Sequence, residues 1–234
     1  MNFADRIDEV QAEYVSRMTR GDIGLLQEVE QYFTNCDGKM LRPRLLLAAA
    51  ATQGPEVYAS RRTLLLATCV EMLHNVSLLH DDVIDSALSR RGRQSINARW
   101  GNKVAVLVGD YCLAQIMALL DEANDRDASQ RVNRTVSAMV ESELLALDNK
   151  SPLSAERYLT IIDGKTASLF ATAAALGNPA YEKFGLAYGR LFQLRDDQCD
   201  GDDNEHTQPL IDRFEAEIES LALQGSALKG FDLQ

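Results

Sequence analysis

Sulfur is sparse and scattered in this sequence. The four cysteines, Cys36, Cys69, Cys112 and Cys199, form no C-x-x-C pair, so the usual zinc spacings are absent. Scattered thiols after a polar, mixed start, Met1-Asn2-Phe3-Ala4-Asp5, predict reduced cysteines in a cytoplasmic protein without a signal peptide. Positive charge is also short. Lys and Arg number 24 against 35 acidic residues, a net charge of −11, which argues against a nucleic-acid partner. No apolar run reaches membrane-spanning length; even Leu41 to Thr52 is too short and holds Arg42 and Arg44. There is no G-x-x-x-x-G-K-[ST] loop for a nucleotide, and no Ser-His-Asp or Cys-His arrangement for covalent catalysis.

Helix breakers are few. Five prolines and fourteen glycines punctuate 234 residues, and no run alternates as a strand would. Apolar periodicity predicts helices over 3–18, 22–35, 42–53, 57–84, 97–121, 129–148, 154–162, 166–176, 180–200 and 207–223. Turn chemistry separates them at Asp37-Gly38, Gly54-Pro55, Arg91-Gly92, Ser151-Pro152 and Gly177-Asn178-Pro179. Nothing resembles an interdomain linker. The expectation is one all-α domain over residues 1–234, with a substantial core.

One carboxylate pattern occurs twice, as Asp81-Asp82-Val83-Ile84-Asp85 and Asp196-Asp197-Gln198-Cys199-Asp200. Each ends an apolar helical segment. Residues four apart share a helix face, so Asp81 stacks on Asp85 and Asp196 on Asp200. Like charges at that spacing repel, and a helix C-terminus disfavours each carboxylate by roughly 0.3–1 kcal/mol. A bound cation offsets both effects. Two such clusters across a cavity would hold several hard divalent cations, and Mg²⁺ suits phosphate. Further acids follow the second motif at Asp202, Asp203 and Glu205.

Basic groups accompany these acids: Gly38-Lys39-Met40-Leu41-Arg42-Pro43-Arg44, Arg90-Arg91-Gly92-Arg93 and Asp163-Gly164-Lys165-Thr166. His74, Ser77 or Leu78, Asp81 and Asp85 fall on one helical stripe. Carboxylates holding Mg²⁺ beside guanidinium forks suit a diphosphate. The simpler readings stand beside these. Lys39 and Arg42 could cap a helix next to Pro43. His80, His206, Arg44 and Arg93 read as structural or solvated. Asp110, inside an apolar helix, reads as a buried structural partner, and the cysteines as small packing residues.

Taken together, the motifs resemble those of the trans-type polyprenyl diphosphate synthases. The matching residues are Gly38-Lys39-x-x-Arg42-Pro43, His74-x-x-Ser77-Leu78-x-His80-Asp81-Asp82-x-x-Asp85, Arg90-Arg91-Gly92, Trp100-Gly101-Asn102 and Gly109-Asp110. They continue with Gly164-Lys165-Thr166-Ala167-x-Leu169-Phe170 and Phe192-Gln193-x-Arg195-Asp196-Asp197-x-x-Asp200. The resemblance covers about residues 20–203; residues 204–234 form a short, divergent C-terminus without the family's usual lysine.

The resemblance implies an isoprenoid-synthase helical bundle around a central cavity and a homodimer, with a heteromer as alternative. It implies condensation of isopentenyl diphosphate with an allylic diphosphate of the geranyl or farnesyl class. Asp81, Asp85 and Asp196 would ligate Mg²⁺, three ions in all with substrate bound, supported by Asp82, Asp197 and Asp200. Lys39, Arg42, His74 and Arg91 would bind isopentenyl diphosphate, and Arg90, Lys165, Thr166 and Gln193 the allylic diphosphate. Val76 and Ser77 are small where short-chain members carry aromatics, which implies a longer product. The short C-terminus keeps open a non-catalytic subunit of a heteromeric synthase. A terpene cyclase is a weaker alternative, since it would not need Lys39, Arg42 and His74.

Overall fold

A computed structural model describes residues 2–34, 38–148, 154–201 and 206–224. Cys36, Asp37, the Ser151-Pro152 break, the acids Asp202, Asp203 and Glu205, and residues 225–234 lie outside the described residues. The described chain is helical almost throughout, as its periodicity predicts. Its contacts sort into two compact units, each discontinuous in sequence: Met1–Pro43 with Leu64–Asp125, and Arg44–Thr63 with Arg126–Gln234.

The first unit holds α1 (Phe3–Met18), α2 (Gly24–Thr34), the start of α3 (Leu41–Ala51), most of α5 (Arg61–Ile84), α6 (Ile96–Trp100) and α7 (Asn102–Ala123). A reciprocal capping box starts α1, with Asn2 accepting from the Asp5 amide at 2.9 Å and Asp5 accepting from the Asn2 amide at 3.3 Å. Arg17 is buried on the same helix and meets Glu13 at 2.7 Å and Glu122 at 2.5 Å, so its charge is compensated. α5 is buried on all sides from Leu64 to Leu73, the signature of a central helix. Between α5 and α6, β1 (Ser89–Arg90) pairs antiparallel with β2 (Arg93–Gln94). No strand is expected there, because two-residue strands are too short to show alternation.

The second unit holds the rest of α3, α4 (Pro55–Ala59), the first residues of α5, α8 (Arg126–Leu147), α9 (Ala155–Ile162), α10 (Ser168–Gly177), α11 (Glu182–Asp200) and α12 (Thr207–Gln224). Every residue of α10 from Leu169 to Gly177 is buried. Close approach explains the last of these: a Cβ on Gly177 would stand 2.2 Å from the Leu46 carbonyl oxygen. Tyr158, Ile162, Leu191, Leu194, Ile211 and Phe214 form a buried cluster where α9, α11 and α12 contribute side chains.

Two expected helices are divided. The 57–84 segment breaks at Ser60, whose hydroxyl accepts from the Thr63 amide at 3.1 Å and caps α5. The 97–121 segment breaks at Gly101, which adopts φ +88 between α6 and α7. Conversely, the expected gap around residue 163 is closed by a single π turn, Asp163–Ala167.

Two of the described helices are long and apolar enough to cross a membrane by length and composition. The apolar window of α5 is 78% buried, which marks it as a core helix; that of α7 is only 39% buried. The exposed apolar side chains of α7 include Val106, Leu107 and Met117.

Phe214 is fully buried in the cluster beneath the second acidic motif. Phe214→Ala should therefore lower unfolding free energy by about 3–5 kcal/mol, read as a shifted denaturant midpoint.

Candidate active site

In the first unit, the acidic motif spans the last turn of α5. Asp85 donates its amide to the Asp81 carbonyl at 2.8 Å, so the helical stacking of Asp81 and Asp85 continues one residue past the helix. Asp81 is half-buried and Asp85 exposed. Asp82 lies about 100° around the helix from Asp81 and turns inward, with only 4% exposure. Its Oδ1 accepts from Arg90 Nε at 2.9 Å and Nη2 at 2.6 Å. Its carbonyl accepts from the Asn97 amide side chain at 2.9 Å. A buried carboxylate with a guanidinium partner avoids the desolvation penalty of a lone charge.

Arg90 and Arg91 sit on the β1–β2 hairpin. Its turn, Arg91-Gly92, has both residues at positive φ, +51 and +73, as a two-residue hairpin with the right twist demands. Tyr32 fastens this hairpin. Its hydroxyl donates to the Gln94 carbonyl at 2.7 Å, and its own carbonyl accepts from Arg93 at 3.1 Å. The Arg93 and Arg99 guanidiniums lie 3.9 and 4.5 Å from its ring centre. A crevice of about 410 Å³, mouth included, runs alongside, lined by Tyr32, Leu78, Asp82, Arg90, Arg91 and Ile96.

Arg42, Arg90 and Arg91 also act on His74. Burial first, then these guanidiniums, hold its imidazole well below the ordinary 6.5, so it is neutral at pH 7. Glu71, one turn earlier and buried, is pushed up by desolvation, while Arg42, Asn75 and Arg91 pull it down. Asn75 Nδ2 donates to Glu71 Oε1 at 3.2 Å. Lys39 is exposed at the start of this basic segment. Met40 beside it is left-handed, at φ +53, as are Ser86 at +52 and Arg91. Such strain in non-glycine residues concentrates at functional sites.

In the second unit, the π turn presents Lys165 and Thr166. Gly164 permits it, since a Cβ there would stand 2.6 Å from the Ala138 carbonyl oxygen. Lys165 Nζ meets Glu143 at 2.8 Å. Asp163 holds Arg190 through both carboxylate oxygens, at 2.5 and 2.6 Å, and that contact raises the guanidinium pKa further. Thr166 Oγ1 donates to Gln193 Oε1 at 2.6 Å, and Gln193 Nε2 donates to Asp197 Oδ1 at 2.7 Å. The hydroxyl of Tyr158 donates to Asp197 Oδ2. Asp196 and Asp200 are exposed on the same helix end.

Some expectations are corrected. Asp110 is not buried: its side chain is 62% exposed, and it lies 4.0 Å from His80 Nε2. Hydropathy alone misplaces it because α7 keeps an exposed stripe. Cys69 and Cys112 are buried, with burial pushing both thiols up to about 12, but Cys199 is exposed and packs no core. His80 packs edge-on against the bare backbone of Gly109, where a Cβ would stand 2.2 Å from Nε2. The sequence reading missed Tyr32, Glu143 and Tyr158, whose partners are far away in the chain. Glu71 had a local signal, since it shares the stripe of His74 and Asn75.

No group of three or more metal-ligating side chains is preassembled among the described residues. The donor chemistry still fits Mg²⁺. The donors are hard carboxylate oxygens, and the inner aspartate of each motif is held by protein donors. Mg²⁺ is commonly bound through one or two carboxylates, with water and substrate phosphate completing its octahedron.

The polyprenyl synthetase family model matches residues 23–210, and the chain belongs to that family. It is 33% identical over 199 residues to all-trans-nonaprenyl-diphosphate synthase (geranyl-diphosphate specific) of Rhodobacter capsulatus, covering 80% of this chain and 61% of that one. It is 32% identical over 208 residues to heptaprenyl diphosphate synthase component 2 of Bacillus subtilis, covering 84% and 59%. The chain thus spans about three-fifths of the length of these relatives. A polyprenyl synthase from Caulobacter crescentus, complexed with calcium and isoprenyl diphosphate, superposes with a TM-score of 0.78 at 33% identity, over 83% of this chain and 62% of that one. The all-α isoprenoid synthase fold is therefore shared.

The neutral His74 has a pH consequence. Unfolded, its imidazole takes a proton near the ordinary 6.5; folded, it does so only well below that. Stability is therefore full above 6.5 and is lost as pH falls from there toward the folded value. Against His74→Gln, the wild type should lose more stability between about pH 7 and 5, measured by denaturant unfolding.

Proposed function

We propose that this chain condenses isopentenyl diphosphate with an allylic diphosphate, releasing pyrophosphate and making a medium- or long-chain trans-polyprenyl diphosphate. The observation that carries the reading is the repeated acidic motif, each copy at a helix end with its inner aspartate held and its outer pair on one face. Asp81, Asp85 and Asp196 would hold three Mg²⁺ ions, with Asp200 in support; bound there, the metal supplies positive charge to a departing diphosphate. Arg90 and Lys165 add fixed cationic charge as the allylic C–O bond ionises, and Thr166 and Gln193 orient the same group. Lys39, Arg42, Arg91 and neutral His74 bind the second diphosphate and bring its double bond to the allylic cation. No protein nucleophile is required; the released pyrophosphate takes the proton.

Five and four residues before Asp81, α5 carries Val76 and Ser77, small side chains that favour a longer product. The three described cysteines are unbridged, which suits a cytoplasmic setting. The stripe of Val106, Leu107, Ala114, Met117 and Ala118 on α7 is exposed and mostly apolar. Such a stripe fits a homodimer interface. The component 2 relative favours a second reading, a subunit of a heteromeric synthase.

Purified protein given Mg²⁺, labelled isopentenyl diphosphate and farnesyl diphosphate should release labelled polyprenyl products unaided; no turnover without a partner would favour the subunit reading. Asp81→Ala, Asp85→Ala and Arg90→Ala should each reduce turnover by about 10²–10³-fold with helix content intact by circular dichroism. Full activity in all three would overturn the site assignment. In sedimentation, the wild type should run as a dimer and Leu107→Glu as a monomer; a monomeric wild type would exclude the α7 interface.

A further inference from the structure

We propose that Tyr158 is a positioning residue for the second acidic motif, fixing through Asp197 the N–H that Gln193 presents to a diphosphate. The inference rests on the prenyltransfer reading above. It follows from counting protons. An ionised carboxylate only accepts, so Gln193 must turn its NH₂ to Asp197 Oδ1, at 2.7 Å. Its carbonyl oxygen then faces Thr166 Oγ1 at 2.6 Å, and Thr166 must donate to it. Tyr158 occupies the other oxygen, Oδ2, with its own proton. Every proton along Thr166–Gln193–Asp197–Tyr158 therefore has one direction.

Two consequences follow. Thr166 has its single proton committed to Gln193, so it cannot donate to a phosphate while the chain is intact. Gln193 keeps one N–H, and that N–H remains as a donor. Asp197 is held by a donor on each oxygen, which fixes the orientation of its carboxylate. The Tyr158 ring is anchored independently of its hydroxyl. It is 8% exposed, in the cluster with Ile162, Leu191, Leu194 and Phe214. Removing the hydroxyl therefore frees one carboxylate oxygen without emptying the core.

Tyr158→Phe is the test. Because a charge-assisted hydrogen bond is lost, the KM for the allylic diphosphate should rise roughly ten-fold, while the KM for isopentenyl diphosphate and the melting temperature stay near wild type. Calorimetric binding of inorganic pyrophosphate in excess Mg²⁺ should weaken by a similar factor. In an Asp197→Asn background, Tyr158→Phe should add no further change. Unchanged allylic KM and pyrophosphate binding in a wild type that turns over would sink this inference alone. A parallel loss in both KM values and in melting temperature would mean that Tyr158 serves only the fold. A wild type that binds Mg²⁺-pyrophosphate more tightly than Tyr158→Phe, yet makes no product, would overturn prenyl transfer and leave the positioning role standing. A wild type that neither turns over nor binds pyrophosphate would overturn both.

Discussion

An aspartate facing a protein interior needs a donor, and that requirement organises both acidic motifs. In each, the first and fifth residues stack along the outside of a helix end, and the second is carried about 100° around toward the protein. Asp82 finds Arg90 there; Asp197 finds Gln193 and Tyr158. The inner residue fixes the rotation of the helix end and so aims the outer pair. Without those donors, a charged group at a negative helix terminus would be unfavourable twice over, by dipole and by desolvation.

The two motifs solve this differently. Asp82 takes a cation, so the first motif holds an internal ion pair whose other member, Arg90, sits on a hairpin fastened by Tyr32. Asp197 takes two neutral donors, Gln193 and Tyr158, in place of a cation. The basic side chains nearest by sequence are engaged elsewhere, Arg195 with Glu215 at 2.7 Å and Arg190 with Asp163 at 2.5 Å.

Much of this was legible from spacing. Helical periodicity located nearly every helix, because apolar stripes follow the same 3.6-residue geometry as the backbone. The Asp81–Asp85 stacking was readable for the same reason. What escaped was set by single residues or by distant ones. Ser60 divides a helix by one hydroxyl bond, and Gly101 by one dihedral. The β1–β2 pair is too short to alternate. The contacts of Tyr158 with Asp197 and of Glu143 with Lys165 join residues that tertiary packing, not local pattern, brings together. Asp110 shows the opposite error: surrounded by apolar neighbours, it looked internal, yet it lies on the face of α7 that the unit leaves uncovered.

The widened turn at Asp163–Ala167 has a bearing on which sequence lengths the fold tolerates. A π turn is an ordinary helix carrying one surplus residue. Deleting one position from it would return the backbone to regular winding and remove the widening that presents Lys165 and Thr166. Chains with this architecture should therefore keep that surplus residue.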